Sequence, residues 1–192
     1  RWAFQRGERV LFFPDQHLGR NSAKKIGIDP KTEMAIWNPR KPLGGLDPIQ
    51  ISKSKILLWQ GHCSVHIRFN VEQIERARIE FPECKIVVHP ECTEQVVEAS
   101  DANGSTEFIV KYLRNAPPGV YGVGTEINLV HRLQSELKSE GKTIFCLDPI
   151  VCPCSTMYRI HPAYVCWVLE SLINGYIVNQ IKVDDETRHW AT

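Results

Sequence analysis

The chain has 192 residues, 43% of them hydrophobic, with 23 basic against 22 acidic side chains and a formal net charge of +1. That length is enough to bury a sizeable core in one domain or two small ones, and the even mixture of charges offers no polycationic surface of the kind a phosphate backbone selects. The longest apolar runs, residues 56–59 and 165–169, fall far short of the ~20 residues that span a bilayer, so neither a nucleic-acid partner nor a membrane span is expected.

In chain order, short β-rich apolar runs occupy residues 10–13, 55–59, 85–88, 120–123 and 143–146, each followed by a polar or glycine-bearing turn and then a helical pattern. That alternation predicts βα units around a mainly parallel sheet. Val71, Ile74, Ala77 and Phe81 keep helical spacing, as do Phe108, Ile109, Tyr112 and Leu113, and residues 127–138 repeat apolar side chains at Ile127, Val130, Leu133 and Leu137. Asn70 and the stretch 101–105 supply cap-type residues, Gly141 supplies a stop, and 184–192 reads as the start of a further helix. The region 28–54, with Pro30, Pro39, Pro42, Pro48, Gly44 and Gly45, shows no sustained period and is expected to be a long loop or insertion.

Strands end in comparable turns: Phe13-Pro14-Asp15, Trp59-Gln60-Gly61-His62-Cys63, His89-Pro90-Glu91-Cys92 and Gly124-Thr125-Glu126. Parallel sheets bind ligands beyond the carboxyl ends of their strands, so all of these turns are candidates to face a site. Cys63 and His66 form a Cys-x-x-His that presents a soft thiolate and an imidazole to one point; alone, the same spacing equally fits a small buried thiol beside a helix-start histidine. Cys152-Pro153-Cys154 is a rigid turn suited to a metal ligand or a redox pair, or to a structural turn with incidental thiols. His89-Pro90-Glu91 brings an imidazole and a carboxylate off one strand end, an arrangement fit for proton transfer or for simple capping of the next helix. Gly104-Ser105-Thr106 opens a helix, where backbone N–H groups and hydroxyls cradle phosphate or carboxylate, or only cap. Cys166, flanked by Val165 and Trp167, reads as core. Seven cysteines in a chain this large read as reduced thiols or metal ligands rather than a disulfide framework, and a cytoplasmic location is the expectation.

Taken in order, these motifs, with Phe13-Pro14-Asp15-Gln16-His17-Leu18-Gly19 at the start and Cys154-Ser155-Thr156-Met157 at the end, resemble those of quinolinate synthases over nearly the whole chain. The resemblance implies repeated three-layer α/β domains with short mainly parallel sheets in a pseudo-threefold, three-domain arrangement, each domain giving one cysteine to a central [4Fe-4S] cluster. The boundaries expected here are a partial α/β domain over 1–62 carrying the 28–54 insertion, a complete α/β domain over 63–153, and a C-terminal segment over 154–192. The implied reaction condenses iminoaspartate with dihydroxyacetone phosphate to give quinolinate for NAD biosynthesis, with the cluster as Lewis acid. An aspartate oxidase supplying iminoaspartate is the implied protein partner.

Carried over by motif, Cys63 resembles one cluster ligand and Cys154 another, with Cys152 as the rival to Cys154. His89 and Glu91 resemble the substrate-binding and acid-base pair, with Pro90 between them. Ser105 and Thr106 resemble the group holding a substrate carboxylate or phosphate, and His66 a histidine near the cluster. Cys146 or Cys152 in a redox disulfide, and either His89 or Glu91 as the proton carrier, stay open. Both ends read as truncations that omit the family's first cysteine ligand, so residues 1–192 by themselves are expected to be inactive. The competing expectations are a non-catalytic Cys/His zinc or redox module using Cys63, His66, Cys152 and Cys154, and an α/β binding domain whose cysteines are core.

Overall fold

The computed structural model describes residues 1–148 and 154–191. The chain divides into two units, Arg1–Pro153 and Cys154–Thr192. In the first, the order is β1 (Val10–Phe12), α1 (Gln16–Lys24), β2 (Met34–Trp37), α2 (Pro48–Lys53), β3 (Ile56–Trp59), α3 (Val71–Glu80), β4 (Lys85–Val88), α4 (Glu94–Ala99), β5 (Ala102–Asn103), α5 (Thr106–Asn115), β6 (Gly119–Gly124), α6 (Ile127–Leu137) and β7 (Lys142–Cys146). β1, β3 and β2 make a three-stranded sheet in that order, and β5-β4-β6-β7 make a four-stranded one. Every pairing is parallel, with Leu11 opposite Leu57 in the first sheet and Val87 opposite Val123 in the second.

Local chemistry sets most of the helix starts. Asp15 caps α1, its Oδ1 accepting from the Leu18 N–H at 2.7 Å. Asn70 and Gln73 form a reciprocal capping box on α3, and Glu126 accepts from the N–H groups of Asn128 and Leu129 to open α6; each satisfies donors that the first helical turn leaves without partners. Gly141 takes the left-handed conformation (φ 74°) that turns the end of the α6 region into β7. The inner strands are apolar because both their faces are covered, as in buried parallel sheets: Ile56, Leu57 and Leu58 of β3 are buried, and Ile86, Val87 and Val88 of β4 fully so. Val87, Tyr121, Val123 and Ile144 pack against Ile109 and Leu113 of α5 and Val130, Leu133 and Leu137 of α6. A smaller cluster of Ala23, Ile28, Ile56 and Leu58 serves the first sheet.

The region 28–54 is a correction to the expectation of a loop. It contains β2, a 3-10 turn (Pro42–Gly45) and α2, the last started by Pro48 and a capping box between Asp47 and Gln50. β2 is four residues long, too short to reveal a period, and owes its order to its partner β3, where Met34 stands opposite Ile56 and Trp37 opposite Trp59. β5, two residues beside β4, is invisible in the sequence for the same reason.

The second unit holds a 3-10 turn (Met157–Arg159), α7 (Pro162–Ile173) and α8 (Asp185–Ala191). Cys166, expected as core, is exposed on α7 along with Val165, Trp167 and Leu169. A unit of this size has too little mass to enclose an apolar helix on all sides.

Candidate active site

In the first unit β1 and β3 run parallel in one sheet and β4 and β6 in the other, and the turns leaving the carboxyl ends of all four strands meet through hydrogen bonds from Asp15 to Cys63 and from His66 to Glu91 and Thr125. Cys63 follows β3 and is half-buried, its backbone N–H donating to Asp15 Oδ2 at 2.9 Å. His66, 8% exposed, stands in the 3-10 turn His66–Arg68. Its Nδ1 lies 2.8 Å from Glu91 Oε2, and its Nε2 3.2 Å from Thr125 Oγ1. His89 stacks on His66 with centroids 4.4 Å apart and planes 17° from parallel. The Glu91 backbone N–H donates to His89 Nδ1 at 3.2 Å. That lone pair is therefore occupied by a donor, and the neutral ring carries its proton on Nε2.

Electrostatics keep these groups in defined states. Burial, reinforced by neighbouring His66, pushes the His89 pKa down to about 4, so the ring is neutral at physiological pH. The hydrogen bond from His66 holds the Glu91 carboxyl below its ordinary value, against the opposing effect of burial, and the Cys63 thiol donates to the same carboxylate. Cys63, His66 and Glu91 each offer a ligand atom within 4.8 Å of the others.

Pro90 is buried between the two acid-base candidates. Ser105 and Thr106 open α5; Ser105 Oγ accepts from the Phe108 N–H at 3.3 Å. The Gly104 N–H donates to Val88 O at 3.2 Å, which seats this helix start beside the end of β4. Cys154 lies in the second unit, half-buried, its Sγ accepting from the Met157 N–H at 3.5 Å. Cys152 lies outside the described residues. Cys146 is half-buried, its thiol directed at Thr125 O and pushed up in pKa by burial. Cys92 and Cys84 are buried, with burial raising both thiols, which leaves them inert at neutral pH.

Three participants have no assigned role in the sequence reading. Thr125 and Asp15 sit in strand-end turns that the repetition flagged, so their positions were signalled although their bonds were not. Asn21 had no local signal: its side chain serves the turn around Glu91, some 70 residues on. A cleft of about 490 Å³ lined by Lys85, Phe108, Lys111, Tyr112 and Tyr121 opens at the amino end of β4, the edge opposite the imidazoles, and its lining offers lysines and tyrosines but no thiol, imidazole or carboxylate.

The family model described as Quinolinate synthetase A protein matches residues 1–192. The quinolinate synthase of Corynebacterium glutamicum is 57% identical over 185 residues, covering 96% of this chain and 46% of that protein. Those of Acidobacterium capsulatum and Streptomyces coelicolor are 48% and 47% identical, each covering 99% of this chain and 51% and 48% of the respective protein. The chain spans about half the length of the curated relatives it matches. With a family match running unbroken from the first residue to the last, and near-complete alignment to relatives that share about half its residues, the chain belongs to the quinolinate synthetase A protein family.

Proposed function

We propose that the protein containing this chain is a cytoplasmic quinolinate synthase, condensing iminoaspartate with dihydroxyacetone phosphate in NAD biosynthesis, with a [4Fe-4S] cluster held in part by Cys63 and Cys154. The observation that carries this is the meeting, at one edge of parallel strands, of a half-buried thiol, two stacked imidazoles and a carboxylate. The donor set on this edge fits such a group, since Cys63 offers the soft sulfur that iron-sulfur clusters take. When bound with three protein thiolates, the cluster supplies a Lewis-acidic iron with an open position.

The chain's own residues do the remaining work. Neutral His89 presents its Nε2–H to a substrate oxygen as a donor that needs no change of protonation state. Glu91 stays ionised at neutral pH and is the base available to a substrate proton. His66 donates its Nδ1–H to Glu91 while its Nε2 accepts from the Thr125 hydroxyl, a hydrogen-bonded chain that orients the carboxylate and keeps it ionised until it takes that proton. Ser105, Thr106 and the α5 amino end hold a carboxylate or phosphate of the substrate. The two parallel sheets would be two of three related domains, and an aspartate oxidase the source of iminoaspartate.

The test is anaerobic reconstitution of the full-length protein. Iron and sulfide should load together and quinolinate should form. Cys63→Ser should lose the iron, whereas Glu91→Gln should retain it and lose about 10²- to 10⁴-fold in kcat. Full iron content in Cys63→Ser would overturn the reading. A second reading is favoured by the spacing of Cys63, His66 and Glu91, which suits one zinc ion; zinc without sulfide in the purified protein would select it.

A further inference from the structure

We infer that α1 is the brace that sets the geometry of this site, with Asp15 and Asn21 as positioning residues for Cys63 and Glu91. The inference rests on the proposed reading of Cys63 and Glu91 and extends it to residues that touch neither substrate nor metal.

Asp15 is 4% exposed and spends both carboxylate oxygens on the backbone: Oδ1 on the Leu18 N–H that starts α1, Oδ2 on the Cys63 N–H. Two further contacts seat the Cys63 turn on the start of α1. The Gln16 N–H donates to Gly61 O at 3.0 Å, and Gly61 lies so close that a Cβ there would sit 2.1 Å from Pro14 O. Only glycine permits that approach, so backbone contact brings the turn carrying Cys63 against the helix start and the Asp15 carboxylate fixes the Cys63 N–H there.

Six residues on, about 9 Å along the helix axis at the usual rise, Asn21 is 3% exposed. Its Nδ2 donates to Pro90 O at 2.8 Å and to Cys92 O at 2.9 Å, the carbonyls on either side of Glu91. Both hydrogens of one amide are thus used to fix the turn that aims Glu91 at His66. α1 belongs to the first sheet and the Glu91 turn to the second, so the two hydrogen-bonded ends of one rigid helix determine how far Cys63 stands from Glu91 and His89. Farther along the same helix, Lys24 pairs with Glu94 at 2.5 Å and with Glu98 on α4. These half-exposed ion pairs hold the same two elements together but touch no site residue, which makes Lys24 the control.

The experiment uses the full-length protein with Asp15→Ala, Asn21→Ala and Lys24→Ala, each read by iron and sulfide content, kcat and KM, and, in metal-free protein, by Cys63 alkylation and the downfield Nδ1–H resonance of His66. Asn21→Ala should keep its iron, lose about 10²-fold in kcat as expected of a displaced catalytic group, and lose the His66 resonance. Asp15→Ala should load less iron and alkylate faster at Cys63. Lys24→Ala should melt earlier with kcat unchanged. If truncation at position 21 prevents folding, Asn21→Ser, which returns one donor, should fall between wild type and that loss. Unchanged alkylation in Asp15→Ala, or an Asn21 variant whose kcat and His66 resonance match those of Lys24→Ala, overturns the inference. The alkylation and resonance measurements need neither metal nor turnover, so they decide it even if the wild-type protein makes no quinolinate.

Discussion

His89 shows how one backbone bond decides what a side chain can do. An exposed histidine titrates near 6.5 and exchanges tautomers freely; here the Glu91 N–H occupies Nδ1, and burial opposes the cation. Nitrogen NMR of the metal-free protein should find His89 neutral with its proton on Nε2 down to about pH 4. Titration near 6.5 would mean that the ring is solvated and the stacked arrangement is absent. The pairing of His89 with Glu91 was legible in His-Pro-Glu. Which atom holds the proton was not, because it depends on a turn geometry that the letters do not encode.

The elements divide by how local their stabilisation is. α3, α5 and α6, with their periodic apolar faces and side-chain caps, were readable because every group that forms them lies within a few residues. β2 was not, since its hydrogen bonds run to β3, and the turn after it depends on Gly44 at φ 68°, whose missing Cβ leaves room for the Trp37 ring. Gly44→Ala should therefore cost about 1–3 kcal/mol, measured by thermal or urea unfolding. Gly27→Ala is the comparison: it shares the positive φ (89°) but has open space around it, so it should cost less. Equal losses would show that the packing of Trp37 on Gly44 contributes nothing.

For the whole molecule, stability should fall with acid in a window set by His89 and then Glu91. His89 has a folded pKa of about 4 against an ordinary 6.5, so between those values the unfolded chain binds more protons and stability declines as pH drops from about 6.5 toward 4. Glu91, held below its ordinary 4.5, adds a loss below that value. Urea midpoints across this range should decline in the wild type and less steeply in His89→Gln, where only the smaller effect of His17, whose pKa burial also lowers, remains above about pH 4.5; an unchanged slope would place the titrating group elsewhere. Among the described residues no helix is long and apolar enough to cross a membrane.

The α/β class, five of the strands, the helices α3, α5 and α6 and the strand-end turns were all written in the order of the residues, because apolar alternation and capping act over a few positions. The convergence of Asp15 with Cys63 and of Asn21 with the carbonyls beside Glu91 joins residues 48 to 71 positions apart. Nothing local encodes such contacts. They exist because two parallel sheets, each built from short-range rules, pack so that one helix of the first reaches the turn of the second.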